Sequence, residues 1–142
     1  MTPMREAVLE RLATVLGAIR APTIQDFESG SVVGLTDEEE SAEIFQDSTK
    51  LTMLIRVEKL LRTNNPAKRA TSANTALAEL IQSLHTAAHD AEVAALIEHI
   101  EYSTGGVFYP PEESNIVGAY VQANVMYWMD TGDPFNYTAF ED

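Results

Sequence analysis

The stretch Ile116–Asp130, IVGAYVQANVMYWMD, alternates without a break. Val117, Ala119, Val121, Ala123, Val125, Tyr127 and Met129 share one side, and Tyr120, Gln122, Asn124, Met126 and Trp128 share the other. Period two means a β-strand with one face toward a core. The run is longer than an ordinary strand, so it is expected to bend or project. A second alternating run at 48–61 places Leu51, Met53, Ile55 and Val57 on one face, with Lys50, Thr52, Leu54, Arg56 and Glu58 on the other. Two such strands frame a sheet that needs a cover on its apolar side.

Two helices supply it. Residues 3–19 carry Val8, Leu12, Val15 and Ile19 at spacings of three and four, with Thr2 as N-cap, Pro3 in the first turn and Ala21-Pro22 as the stop. Residues 66–89 are led by Pro66 and present Ala73, Leu77, Leu80, Leu84 and Ala88 along one stripe. Residues 23–27 and 31–34 read as short and extended. The polar stretch 35–42, LTDEEESA, reads as an acidic loop. Val93, Leu96, Ile97 and Ile100 form one or two helical turns leading into a strand that Gly105-Gly106 breaks. The end is turn-rich through 130–136 and loose over 137–142. The expected fold is α+β, one domain over 1–142. It comprises a small, mainly antiparallel sheet, two main helices packed on one face and a long C-terminal strand.

The 142 residues include 22 Asp plus Glu against 9 Lys plus Arg, a formal net charge of −13. Every cation lies at or before Arg69: residues 1–69 hold 9 basic and 11 acidic side chains, net −2, and 70–142 hold 0 and 11, net −11. Such a field repels polyanions and argues against a nucleic-acid clamp or an anionic-membrane anchor. Cysteine is absent, which removes disulfides and thiol nucleophiles. No stretch has the length of a bilayer span or a signal-peptide core, so the chain is expected to be soluble and made in the cytoplasm.

Motifs for chemistry are few. His85 and His89 stand four apart, with Glu92 three further on, a spacing that lets two imidazoles share a metal. The glutamate that an HExxH motif needs is replaced by Thr86, and His99 is remote. The expected reading is surface histidines near a helix end, favourable against its dipole. The segment 35–42 lacks the ligand spacing and turn glycine of a calcium loop. No serine elbow or phosphate loop is present in the sequence. The chain is expected to be a non-enzyme without cofactor or metal. The outer side of the strands is more telling, because Tyr120, Met126 and Trp128, with Leu54 and Leu60, lie opposite the core face. Either further helices cover that side or it is a protein interface, where aromatic and Met side chains are enriched.

The order of these features resembles the tail terminator (tail completion) proteins of tailed bacteriophages, the group of minor tail protein U-like and neck-forming relatives. The resemblance runs over nearly the whole chain. It takes in the N-terminal helix MREAVLERLATVLGAI, the acidic SVVGLTDEEESAE, the strand LTMLIRVEKLL and the Pro-led helix NPAKRATSANTALAELIQSLHTAAHD. It then covers VAALIEHIEYSTGG and the final strand closing in WMDTGDPFN. It implies a non-catalytic virion protein of the tail neck, assembled in the host cytoplasm. Its homo-oligomeric, usually hexameric, ring would stop tube growth at the head-proximal end. Implied partners are the tail tube protein, the head-tail connector or neck protein and, in contractile tails, the sheath protein; DNA passes through the channel without specific binding. Asp37, Glu38, Glu39 and Glu40, with the strand bearing Tyr120, Met126 and Trp128, are the candidate contact surface. Two other classes stay open: an acidic DNA-mimic type protein that binds a basic partner, and a metal-dependent enzyme built on His85 and His89.

Overall fold

A computed structural model describes residues 2–23, 26, 32–110 and 115–135. Its centre is β5 (Ile116–Asp130), paired along its whole length with β3 (Ser48–Arg62), from Ser48 opposite Asp130 to Arg62 opposite Ile116. Both alternating runs therefore fold as their period predicts. Leu51, Met53, Ile55 and Val57 are buried on one side of β3, and Val117, Ala119, Val121, Ala123, Val125 and Tyr127 on the same side of β5. β4 (His99–Phe108) flanks β5, and β2 (Val32–Phe45) flanks β3, each antiparallel; the short β1 (Ala18–Arg20) adds to β2 in parallel. The mixed sheet has the order β1-β2-β3-β5-β4.

The helices α1 (Met4–Leu16), α2 (Arg69–Ala88) and the single turn α3 (Ala91–Ala94) all feed one hydrophobic cluster with the sheet. That cluster joins Met4, Val8, Leu9 and Leu12 to Leu80, Leu84, Val93 and the inner rows of β3 and β5. The fold is α+β with helices on one face. The stripe of α2 is rotated slightly from the expected one: Ala76 and Ala87 are buried, whereas Leu77 and Ala88 are only partly so. Asn65 caps the preceding 3-10 turn by accepting from the Ala67 N–H, and Asp90 caps α3 by accepting from Glu92 and Val93 N–H.

Four expectations change. α1 stops at Leu16 rather than residue 19, because Gly17 takes the left-handed conformation (φ 64°) and its N–H closes on Ala13 and Thr14 carbonyls. The glycine outweighs the continuing apolar spacing, and the chain leaves as β1, which Ala21 (φ 46°) and Pro22 end. At the other end, Pro3 occupies the cap position with no side-chain cap, and the Met4 N–H donates to the Pro134 carbonyl instead. The acidic stretch is no loop but the middle of β2, paired from Val32 opposite Leu60 to Phe45 opposite Ser48. Finally, Gly105-Gly106 does not break β4. A Cβ at Gly106 would lie 3.1 Å from the Tyr120 ring and one at Gly105 would lie 2.7 Å from the Tyr102 hydroxyl, so these glycines admit close neighbours within a strand. The extended reading of 23–27 falls mostly outside the described residues, as does the loose end 137–142.

The left-handed Gly17 makes a simple test. Gly17→Ala meets no steric neighbour, yet it forces an L side chain into that conformation. It is expected to lower unfolding free energy by about 1 kcal/mol, read from the urea midpoint at an unchanged slope.

Candidate interaction surface

The acidic segment is held by one guanidinium. β2 carries a bulge between Asp37 and Glu40, where Glu38 and Glu39 together face the single residue Leu54. Arg5, on the first turn of α1, reaches across it: Nη2 donates to Asp37 Oδ2 (2.9 Å) and to the Glu38 carbonyl (2.7 Å), and Nη1 donates to Glu40 Oε1 (2.9 Å). The Glu38 carbonyl thereby gains a partner at the irregular point of the ladder. The Tyr127 hydroxyl, at the end of the buried row of β5, donates to the same Glu40 oxygen. Arg20 of β1 donates to both carboxylate oxygens of Glu6 (2.9 and 3.0 Å) and lies 3.7 Å from Asp37 Oδ1. Four elements, α1, β1, β2 and β5, are tied here by charge-assisted bonds.

Ionisation follows the geometry. Burial alone would raise the Asp37 carboxyl, but the hydrogen bond from Arg5, a backbone hydrogen bond and the charges of Arg5 and Arg20 bring it below the ordinary value. The Arg20 hydrogen bond lowers Glu6 against a smaller burial cost. Burial, reinforced by the bond to Glu40, raises the Tyr127 hydroxyl well above the usual phenol range. So Asp37 and Glu40 belong to an internal network, whereas Glu38 and Glu39 are exposed and make no ion pair among the described residues. The four candidate carboxylates do not act as one patch.

Tyr120, Met126 and Trp128 are half-buried on the face of the sheet that carries no helix. Each has local neighbours there. The Arg56 guanidinium stacks 4.2 Å over the Tyr120 ring, which lies against Gly106. The Trp128 indole N–H donates to Glu98 (2.8 Å), and its ring tilts against Phe45 at 5.6 Å between centroids. Glu98 also pairs with Lys50 at 3.6 Å. At the far end of the face, Leu60 and Phe108 close over Gly118. The alternative in which helices cover both faces is thus excluded for the described residues.

The histidine pair meets at 4.5 Å between ring centroids, and His89 Nδ1 lies 2.9 Å from the His85 carbonyl. Both line a groove of about 620 Å³ between the end of α2 and β4, floored by Leu84, Ile97 and Ile100. Glu92 instead pairs with Arg11 of α1 at 3.0 Å. His99 sits on β4 opposite Met126. Among the described residues no three His, Asp or Glu side chains converge on a metal position. No described helix is long and apolar enough to cross a membrane.

Two surface features escaped the sequence reading. Among the described residues the sheet has unpaired edges: β1 covers β2 from Val33 to Leu35, and no strand lies beyond β4. The second is the β2–β3 hairpin end, where Ile44 and Phe45 are exposed beside the turn Gln46-Asp47. The segment EIFQDS, with two large apolar residues before a short polar turn, carried that signal. No known protein family and no curated protein matches the chain.

The network sets a pH dependence. Because the folded-state values of Asp37 and Glu6 lie below their unfolded ones, the stability they contribute is complete only above the unfolded values, beyond about pH 5, and is lost as pH falls through the lower folded-state values. Arg5→Met is expected to reduce stability at neutral pH by about 1–2 kcal/mol and to flatten the acid limb of the urea-midpoint profile. Tyr127→Phe, which deletes a donor to a carboxylate, is expected to cost about 1.5–3 kcal/mol in the same assay.

Proposed function

We propose that the chain is a structural subunit of a phage tail terminator. In this reading, copies close head to tail into a hexameric ring at the head-proximal end of the tail tube. The ring ends tube growth, offers its other side to the head-tail connector or neck protein, and lets DNA through without holding it. In a contractile tail it also meets the sheath. The virion neck is its place, and catalysis is no part of the role.

The observation that carries this reading is the one-sided sheet. Its helix-free face presents Tyr120, Met126 and Trp128 in one strand, a composition typical of surfaces that meet other proteins. A subunit of a closed ring needs two unlike surfaces related by rotation, and a sheet backed by helices on one side has them. The charge pattern also supports it. Six of the nine cations sit in ion pairs among the described residues, through Arg5, Arg11, Arg20, Lys50, Arg56 and Lys59. With two thirds of its cations engaged internally and a net charge of −13, the subunit has little to neutralise phosphates with, and a channel it lined would not grip DNA.

Negative-stain images of the purified protein, alone and mixed with tail tubes, test the reading. Rings with a central hole, or caps on tube ends, are expected; protein that stays monomeric and never caps tubes overturns it. Met126→Glu, which places a charge in the middle of the open face, is expected to shift sedimentation from ring to monomer without changing the circular dichroism spectrum.

A further inference from the structure

We propose that His85 and His89 form a two-imidazole chelate for a divalent transition cation of the Cu2+ or Ni2+ class at the end of α2, with water filling the remaining positions. The site does not depend on the ring reading. Nor does it make the chain an enzyme: Thr86 stands where a metalloprotease helix carries its glutamate base, so the pair holds a metal without that base beside it.

Three observations converge on the pair. Residues four apart share one face of a helix, so both side chains leave α2 in the same direction, His85 from its last turn and His89 from its cap. Their rings stand 4.5 Å apart between centroids. Two imidazoles bound cis to one cation, each with its nitrogen about 2.0 Å away, place their centroids at about this separation, and cis nitrogens suit the tetragonal geometry of Cu2+ and Ni2+. The third observation is a fixed tautomer. His89 Nδ1 lies 2.9 Å from the His85 carbonyl, which only accepts, so Nδ1 carries the hydrogen and Nε2 keeps its lone pair. An N–H donated to a backbone carbonyl is the usual outer support of a metal-bound histidine.

The surroundings admit a cation. Both histidines are exposed and open onto the groove of about 620 Å³, which has room for a metal with its waters. Among the described residues no Lys or Arg lines that groove, and the negative field of the whole chain draws cations toward it. The nearby carboxylates are engaged elsewhere, Glu98 by Trp128 and Lys50, and Glu92 by Arg11. The protein's share is therefore two nitrogens, a set that discriminates against hard cations such as Mg2+, which take oxygen ligands. Bridging positions four apart, the metal staples the last turn of α2, which ends without the left-handed glycine that closes α1.

Titration of the full chain, carrying no affinity tag, with CuSO4 tests this by calorimetry and electron paramagnetic resonance. One Cu2+ per chain is expected, with coupling to two imidazole nitrogens. NiCl2 is expected to compete, and a hundredfold excess of MgCl2 is not. Binding to the folded chain alone also raises the thermal midpoint. His85→Asn and His89→Asn, both at exposed positions, are each expected to weaken binding at least about tenfold and to remove the two-nitrogen signature, with circular dichroism unchanged. His99→Asn, across the same groove, is expected to do neither. Wild-type affinity in either helix variant overturns the proposal, as does an equal loss in His99→Asn. Displacement by MgCl2, or a spectrum without coupling to two nitrogens, shows an adventitious ion only and overturns it as well.

Discussion

Arg5 meets three oxygens of an edge strand at once, and the arrangement of the molecule's acidic side depends on that contact. Among the described residues, β2 is covered by a neighbour over three residues on its outer side, and it carries a dense run of carboxylates beyond them. A guanidinium from α1 gathers Asp37, the Glu38 carbonyl and Glu40 around a bulge. Glu40 passes the connection to the Tyr127 hydroxyl at the edge of the core. The fork geometry of arginine suits this task, because one planar group satisfies several acceptors in fixed directions. A bulged, charged edge is also a poor template for adventitious strand pairing.

The interior was legible because burial imposes a period. In β3 and β5 one face is sealed by helices, so alternation survives in the sequence as Leu51, Met53, Ile55 and Val57 and as the Val and Ala row ending at Tyr127. Tyr120, Met126 and Trp128 follow by the same rule, on the opposite side. β2 gave no such signal beyond Leu35. Both of its faces are exposed there, and the bulge shifts the period at Glu38 and Glu39, so a true strand reads as a polar loop. Arg5 and its acceptors are separated by 32 to 35 residues, and no local pattern links them. The glycines misled for a related reason: at Gly105-Gly106 the missing Cβ makes room for rings, and at Gly17 it sets the backbone turn.

Net charge takes on a finer meaning once cations are assigned. The chain has a first part that is nearly balanced and a second without Lys or Arg, yet the ion pairs cross that divide: Arg11 reaches Asp90 and Glu92, Lys50 reaches Glu98 and Lys59 reaches Glu79. The surplus is thereby concentrated on a few positions, with the β2–β3 hairpin among them. Surface pairs of this kind add little stability individually. Their larger effect is to decide which carboxylates remain to shape the external field.

The two-residue turn at Gln46-Asp47 also bears on the order in which the sheet can assemble. β2 and β3 are neighbours in sequence and can zip from that turn with little loop-closure cost. β5 must return across the length of α2, α3 and β4 to meet β3; Thr49 and Thr131, whose hydroxyls touch at 3.0 Å, stand 82 residues apart. The central pairing is thus non-local and belongs among the slower events of folding. Until β5 arrives, the apolar row of β3 waits beside a strand that carries five carboxylates among its fourteen residues. During synthesis that hairpin has an apolar row without its cover, and its acidic members act as gatekeepers for the nascent chain.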